Sequence, residues 1–375
     1  MIFVNDLWSL TNIPLWLEHT DANEDGMGLA DSVFPAFLFI VGLSIPYAIA
    51  ARKKKGDTTL DIVWHILSRS LALVVMGVFL VNGEYINEAA TGMRGVVWNM
   101  ICCTCFIVIW NAYPEKINKT LERMLKMLAI ATLLVLAWLY RAGEADALTI
   151  FDTYWWGILG LIGWAYLVSA LVYVASKENI YLNVLAWLLF LFLCTANQAQ
   201  WLPEKGPFRS LINPFGEGSM VALVSGGIIA SQLFRHCLQR YNYKQTLVLF
   251  FGIAALLLAA GFALRPIGGI SKIKATPLWV LICSAITIIV FMILYYVCDI
   301  LKKTSLFNLI KPAGTTTLLC YLLPYFAYGI PAMLALYIHA FLLTGVIGLM
   351  KSFAFALLMV VIAGWLGKLH VRLKL

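Results

Sequence analysis

The chain has 375 residues, of which 62% are hydrophobic and 12% charged, against about half and a quarter in a soluble domain. Its mean hydropathy is +0.87. With 13 Trp, 16 Tyr and 21 Phe, it reads as many lipid-facing helices with aromatic belts, which excludes a soluble enzyme and a disordered chain. A porin-type barrel, with strands of about 10 residues of alternating polarity, is excluded as well, because the apolar runs here are unbroken and of helix-crossing length. The net charge of +8 does not point to nucleic acid, since the basic residues form short clusters between apolar runs. The eight Cys, including Cys102, Cys103 and Cys105, lie mostly inside apolar segments without metal-site spacing, where small residues pack. No metal site is expected.

In chain order, apolar segments fall at 29–51, 62–82, 95–113, 127–141, 155–176, 181–197, 218–236, 245–264, 276–301, 312–328 and 352–367. Met1 to Leu10 is an apolar stub too short to cross, read as the remainder of a truncated first helix or the mark of a misassigned start codon. The expected fold is therefore all-α, a polytopic transmembrane bundle of about 11–12 helices forming one integral-membrane domain over 1–375. Ile330 to Met350, with Pro331 and His339, is expected to lie flat on the membrane surface.

The basic residues set the orientation. Eighteen Lys and Arg fall in loops assigned inside, such as Arg52 to Lys55, Lys116 to Lys126 and Lys368 to Lys374. Eight fall outside: Arg94, Arg141, Lys205, Arg209, Arg265, Lys272, Lys274 and Lys351. That asymmetry places both termini in the cytoplasm. Arg265, Lys272 and Lys274 share one outside loop, against the rule, which suits either an anion-holding site or snorkelling to lipid headgroups.

Ionisable groups in or beside spans are the default functional candidates, because burying them in hydrocarbon is costly. Asn5 and Asp6 lie in the stub, Asp31 at the outer end of the second span, Arg69 about two turns into the third, and Glu217 at the start of the eighth. The outside loop Thr11 to Gly28 holds Glu18, His19, Asp21, Glu24 and Asp25 with no Lys or Arg. Asp21-x-Asn23-x-Asp25-Gly26 has the start of a Ca²⁺ loop but lacks its Glu six positions after the Gly.

Together these residues resemble a known pattern. Val4-Asn5, His19 and the run Gly28-Leu29-Ala30-Asp31-Ser32-Val33-Phe34-Pro35-Ala36-Phe37-Leu38-Phe39-Ile40-Val41-Gly42 are similar to the signature of the heparan-α-glucosaminide N-acetyltransferase family of transmembrane acyltransferases. Arg69-Ser70-Leu71, Glu217-Gly218, Lys272 through Trp279, Pro312-Ala313-Gly314 and the basic end His370 to Leu375 follow in order. The resemblance covers nearly the whole chain and is closest to a bacterial, DUF5009-type branch. The segment Gly95-Val96-Val97-Trp98-Asn99 departs from the family pattern, which implies a different acceptor pocket.

The resemblance implies transfer of an acetyl group from cytoplasmic acetyl-CoA to an amino sugar across a bacterial inner membrane. It implies His19 as the catalytic base, with Asn5 and Asp31 beside it. The types suit the chemistry: an ammonium must lose a proton before attacking a thioester, and imidazole titrates near neutrality. Asn5 would stabilise the oxyanion or fix the acetyl carbonyl, and Asp31 would hold the imidazole tautomer or bind the amine. Arg69, Lys272 and Lys274 are assigned to acetyl-CoA, the guanidinium fork suiting phosphate. Glu217 and Asp6 are assigned to the acceptor. Acetyl-CoA, a glycan acceptor and membrane lipid are the expected partners, without nucleic acid; a homodimer is left open. Direct transfer and an acetyl-histidine intermediate both remain, as do O-acetylation of an envelope polysaccharide and a transporter with helices broken at Pro35, Pro46 or Pro324.

Overall fold

The computed structural model describes residues 1–144, 146–202, 206, 213–336 and 338–375. Among them are fourteen α-helices and no β-strand, only isolated bridges. In chain order the helices are α1 (Ile2–Asp6), α2 (Leu29–Lys54), α3 (Thr59–Tyr85), α4 (Glu88–Thr91), α5 (Gly95–Trp110), α6 (Lys119–Leu139) and α7 (Ile158–Ala175). There follow α8 (Ile180–Gln198), α9 (Ser219–Arg240), α10 (Tyr243–Ala263), α11 (Pro277–Tyr295), α12 (Lys311–Thr315), α13 (Thr317–Met333) and α14 (Gly345–Lys368). Each of the eleven expected spans is helical, 312–328 being divided between α12 and α13 at Thr316. Eight are long and apolar enough to cross a membrane: α2, α3, α7 to α10, α11 with the π-turn that extends it to Ile300, and α14. Helices α5 and α13 are shorter, and α6 carries Lys119, Glu122, Arg123 and Lys126 in its first two turns. The chain is an integral multi-pass membrane protein.

The sequence explains the helix limits. Hydrocarbon leaves no water for unpaired backbone groups, so an apolar run satisfies them within its own helix. Asn87, Asn118, Asn179 and Asn242 cap α4, α6, α8 and α10 by accepting backbone N–H bonds at their first turns. Pro277 opens α11, where its missing N–H costs nothing. Arg52, Lys53 and Lys54 end α2, where cations complement the carbonyl end of the helix dipole. Leu60, Trp64, Trp138, Val248 and Val346 lie outward and exposed, the pattern of a surface facing lipid.

Two expectations are corrected. Pro35 and Pro46 lie inside a continuous α2, and Pro324 inside a continuous α13, so the breaks that would suit a transporter are absent at these prolines. Ile330 to Met350 is not one surface helix: α13 runs to Met333, a 3-10 turn follows at Ala340–Leu343, and α14 begins at Gly345. Lys351 therefore sits inside α14 and not in an outside loop. Lys205 and Arg209 lie outside the described residues.

The chain divides into two compact units, each discontinuous in sequence. The first comprises Met1–Ile13, Val75–Gly160 and Ser305–Leu375. Trp98, fully buried on α5, donates from Nε1 to the Phe79 carbonyl at 2.9 Å and meets Phe79, Tyr140 and Phe151. The C-terminal residues are pinned to the end of α5, where Lys374 N donates to Trp110 O at 2.9 Å and Ala112 N to Arg372 O at 2.8 Å. Helix α1 is anchored by Asp6, 1% exposed, which accepts from Tyr328 Oη and Lys351 Nζ at 2.6 Å each.

The second unit comprises Pro14–Val74 and Leu161–Thr304. Its centre is the crossing of α2 and α9, where two glycines allow backbone contact. A Cβ on Gly42 would stand 1.9 Å from the Val224 carbonyl oxygen, and one on Gly227 2.0 Å from that of Phe39. Close approach of this kind is how membrane helices gain packing without a hydrophobic drive between them. Phe39, Leu43, Phe234, Phe250, Ile288 and Met292 fill the core among α2, α9, α10 and α11. Across the helices, Asn183 Nδ2 donates to Gln232 Oε1 at 3.1 Å, and the Ser169 and Ser225 hydroxyls bond at 3.2 Å.

Candidate functional site

The site is built at the mouth of α2 in the second unit. Asp31 stands in the first turn of that helix, where its Oδ2 accepts the Gly28 and Thr20 backbone N–H groups, both at 3.0 Å. Its Oδ1 stands 2.7 Å from His19 Nδ1. Trp279 Nε1 donates to the Asp31 backbone carbonyl at 3.1 Å, tying α11 to the same turn. Two backbone donors on one oxygen stabilise an ionised carboxylate, so the imidazole presents Nδ1–H to the other and leaves the Nε2 lone pair available. The carboxylate is 1% exposed and the His19 side chain 49%. This is the arrangement of a base held by a buried orienting acid.

The loop before α2 reaches that position because glycine opens its last step. A Cβ at Gly28 would meet the Glu18 carbonyl oxygen at 1.9 Å, so a side chain there would displace the strip that carries His19. The loop is fastened on its far side by Asp25, whose Oδ1 accepts Ile270 N–H at 2.7 Å and whose Oδ2 meets Arg265 Nε at 3.0 Å and Nη2 at 2.9 Å. The Ile270 amide and then the Arg265 guanidinium hold the Asp25 carboxyl below the usual carboxylate range. Gly26 N–H donates back to Ile270 O at 3.1 Å.

This clasp brings the loop between α10 and α11 onto the histidine. Lys272 Nζ lies 3.2 Å from His19 Nδ1, 3.4 Å from Nε2 and 4.0 Å from Asp31 Oδ1. Burial pushes the Lys272 ammonium below the ordinary lysine value, while the Asp31 carboxylate pulls the other way. The three loop cations thus have separate places: Arg265 on Asp25, Lys272 on His19 and Asp31, and Lys274 exposed, its backbone carbonyl accepting from Gln198 Nε2. One position before Gln198 on α8, Asn197 bonds the Glu217 carboxylate, which brings Glu217 beside this loop.

Arg69, Asn5 and Asp6 stand on other helices. Arg69 is ten residues into α3, the helix that follows the Lys54 end of α2, whereas Asp31 stands at the other end of α2. A helix of 26 residues is ~39 Å long, and the ten residues of α3 before Arg69 cover ~15 Å of the return, so Arg69 stands nearer the Lys54 end of α2 than the Asp31 end. Its guanidinium carbon stands 4.9 Å from the Tyr166 ring centre, and its Nε is buried with no hydrogen-bond partner. Asn5 is exposed on α1 in the first unit. Both carboxylate oxygens of Asp6 are occupied by Tyr328 and Lys351, a buried ion pair that anchors α1. The eight cysteines are free thiols, seven of them buried.

Sequence reasoning did not reach the Asp25 to Arg265 clasp, Tyr166 beneath Arg69, or the contact of Lys272 with His19. The loop charges are visible in sequence, but nothing in their spacing pairs segments some 250 residues apart.

The chain is 36% identical over 70 residues to heparan-alpha-glucosaminide N-acetyltransferase of Mus musculus, a stretch that covers 19% of this chain and 10% of that protein. It thus spans about a tenth of that relative. Residues 11–204, just over half of the chain, match the family described as Domain of unknown function (DUF5009). That stretch contains His19, Asp31 and Arg69, and on it the chain belongs to the DUF5009 family.

Proposed function

We propose that this protein is a membrane-embedded acyltransferase that moves an acetyl group from acetyl-CoA to the amine of an amino sugar, with His19 as general base. The observation that carries the reading is the His19 and Asp31 pair, a half-exposed imidazole whose Nδ1 is held at 2.7 Å by a buried carboxylate. The partial likeness to the mouse N-acetyltransferase supports acyl transfer as the class.

His19 Nε2 takes the proton of the attacking amine, and the Asp31 carboxylate stabilises the imidazolium that forms. The attacking nitrogen bonds to the thioester carbonyl carbon, the carbon to sulfur bond breaks, and the proton passes to the departing thiolate. Arg69, with its buried and unsatisfied Nε, is proposed on the phosphates of CoA, Lys274 on acetyl-CoA at the His19 end, and Glu217 on the acceptor. Residues 1–375 act as one acyltransferase domain in a bacterial inner membrane, with both termini cytoplasmic and acetyl-CoA supplied from that side.

The test is thiol release from acetyl-CoA by the purified full chain in detergent, with glucosamine, with N-acetylglucosamine and with neither. Glucosamine-dependent release that disappears in His19→Ala supports the reading. Equal release with N-acetylglucosamine points to a hydroxyl acceptor, and no release with any amine or sugar sinks the enzyme.

A further inference from the structure

Lys272 stands where the mechanism needs a substrate. An ammonium has only protons to offer, and Nδ1 of His19 already gives its own to Asp31 at 2.7 Å. Lys272 Nζ stands against both ring nitrogens, 3.2 Å from Nδ1 and 3.4 Å from Nε2, and with Nδ1 committed to Asp31 the lone pair left to it is that of Nε2. A primary amine beside Nε2, with a carboxylate oxygen 4.0 Å away, reproduces what a base must bind in order to activate an amino-sugar nitrogen.

The placement is built into the loop. Ser271 is buried; its amide donates to Thr276 Oγ1 at 3.1 Å, and the Thr276 amide donates to the Ser271 carbonyl at 3.1 Å. Ile270, two residues before Lys272, is bonded in both directions to the segment Asp25 to Gly26. The Lys272 side chain keeps 28% of its surface exposed, so the amine is open to an incoming group. Burial also favours its neutral form, which is the nucleophilic one.

We propose that Lys272 Nζ occupies the seat of the acceptor amine and is itself acetylated when acetyl-CoA is supplied without an acceptor. The inference rests on the acyltransferase reading above. The neutral Nζ attacks the thioester carbonyl and a nitrogen to carbon bond forms as the carbon to sulfur bond breaks. The proton lost by Nζ goes to His19 Nε2 and from there to the CoA thiolate. The products are an uncharged amide on Lys272 and free CoA thiol, with no oxidant or other reactant needed. The amide carries no charge and is stable, so it blocks the seat and silences the site. An amino-sugar acceptor competes with it by displacing the lysine side chain.

The experiment incubates the purified full chain with acetyl-CoA alone and with glucosamine added. Acetyl groups on the peptide holding Lys272 and Lys274 are located by mass spectrometry, and thiol release is followed in the same samples. Expected is labelling of Lys272 about a hundredfold above that of Lys274, the low end of what general base catalysis supplies. The label falls when glucosamine is present and is lost in His19→Ala and His19→Gln, two variants of different size that guard against misfolding of either. Label without glucosamine-dependent release supports the inference and moves the acceptor away from glucosamine. Glucosamine-dependent release with Lys272 unmodified overturns it while the acyltransferase reading stands. Equal labelling of Lys272 and Lys274, or of the wild type and both His19 variants, marks uncatalysed solution chemistry and overturns it. No label and no release overturns both readings.

Discussion

Asp31 grips His19 at 2.7 Å from inside the first turn of α2, a carboxylate 1% exposed holding a ring left 49% exposed. The carboxylate is fixed by two backbone amides of the His19 loop and its residue by Trp279, so the imidazole is oriented by a carboxylate that the loop and the helix start hold together.

Replacing that carboxylate by an amide leaves the shape and removes the charge. Asp31→Asn is expected to lower kcat for acetyl transfer by about 10²–10⁴-fold with little change in KM, because the amide no longer stabilises the imidazolium or enforces the Nδ1–H tautomer. Steady-state thiol release as a function of acetyl-CoA and acceptor separates the two constants. An unchanged kcat removes His19 and Asp31 from the chemistry.

Gly28→Ala puts a Cβ at 1.9 Å from the Glu18 carbonyl oxygen and 3.2 Å from that of Trp16. Backbone cannot yield as a side chain does, so the loop must shift, at a cost of about 1–3 kcal/mol as for other overpacked sites. A lower melting midpoint together with lost transfer activity is expected. Normal activity would show that the His19 strip tolerates displacement.

The Asp25 clasp gives a pH dependence of known sign. The Ile270 amide and Arg265 hold its carboxyl below the usual range in the folded protein, so the unfolded chain binds this proton more readily. Its stabilising contribution is fully present above the ordinary carboxylate value of about 3.9 and is lost as pH falls through the lowered value. The difference in melting midpoint between wild type and Asp25→Asn should therefore shrink as pH falls below about 4. A difference independent of pH shows that the clasp holds through hydrogen bonding alone.

In the first unit, Lys351→Met leaves the Asp6 carboxylate buried without its cation, and Tyr328 alone cannot neutralise it. Breaking a buried pair costs about 3–5 kcal/mol. The double variant Asp6→Leu with Lys351→Met should recover most of that loss, since an apolar pair needs no desolvation. Thermal unfolding in detergent of both single variants and the double variant reads the coupling. Additive effects would show that the two charges stabilise independently.

Much of the fold was legible because a hydrocarbon solvent leaves an apolar run few alternatives. All eleven expected spans are helical, one of them divided at Thr316, their ends adjusted by local chemistry such as the Asn242 cap and Pro277. The exception was Ile330 to Met350, where Pro331 suggested a break but α13 absorbs it and α14 starts earlier, at Gly345. A proline early in a hydrophobic stretch removes one N–H bond, which a membrane helix tolerates.

At the site, the sequence pointed to His19 and Asp31 through the pattern around α2, and their contact needs only a short loop and the start of one helix. It also displayed Arg265, Lys272 and Lys274 as a run of positive charge, which alone reads equally as an anion grip or as snorkelling to lipid headgroups. Tertiary structure divides that run, because Asp25 captures Arg265, the Ile270 backbone closes on Gly26, and Lys272 is carried to His19 while Lys274 stays exposed. Composition and hydropathy determine which segments enter the membrane, since each helix meets the solvent by itself. Which charge meets which partner is decided only when distant loops are folded together, because hydrogen bonds and ion pairs act over a few ångströms of space, whatever the separation along the chain.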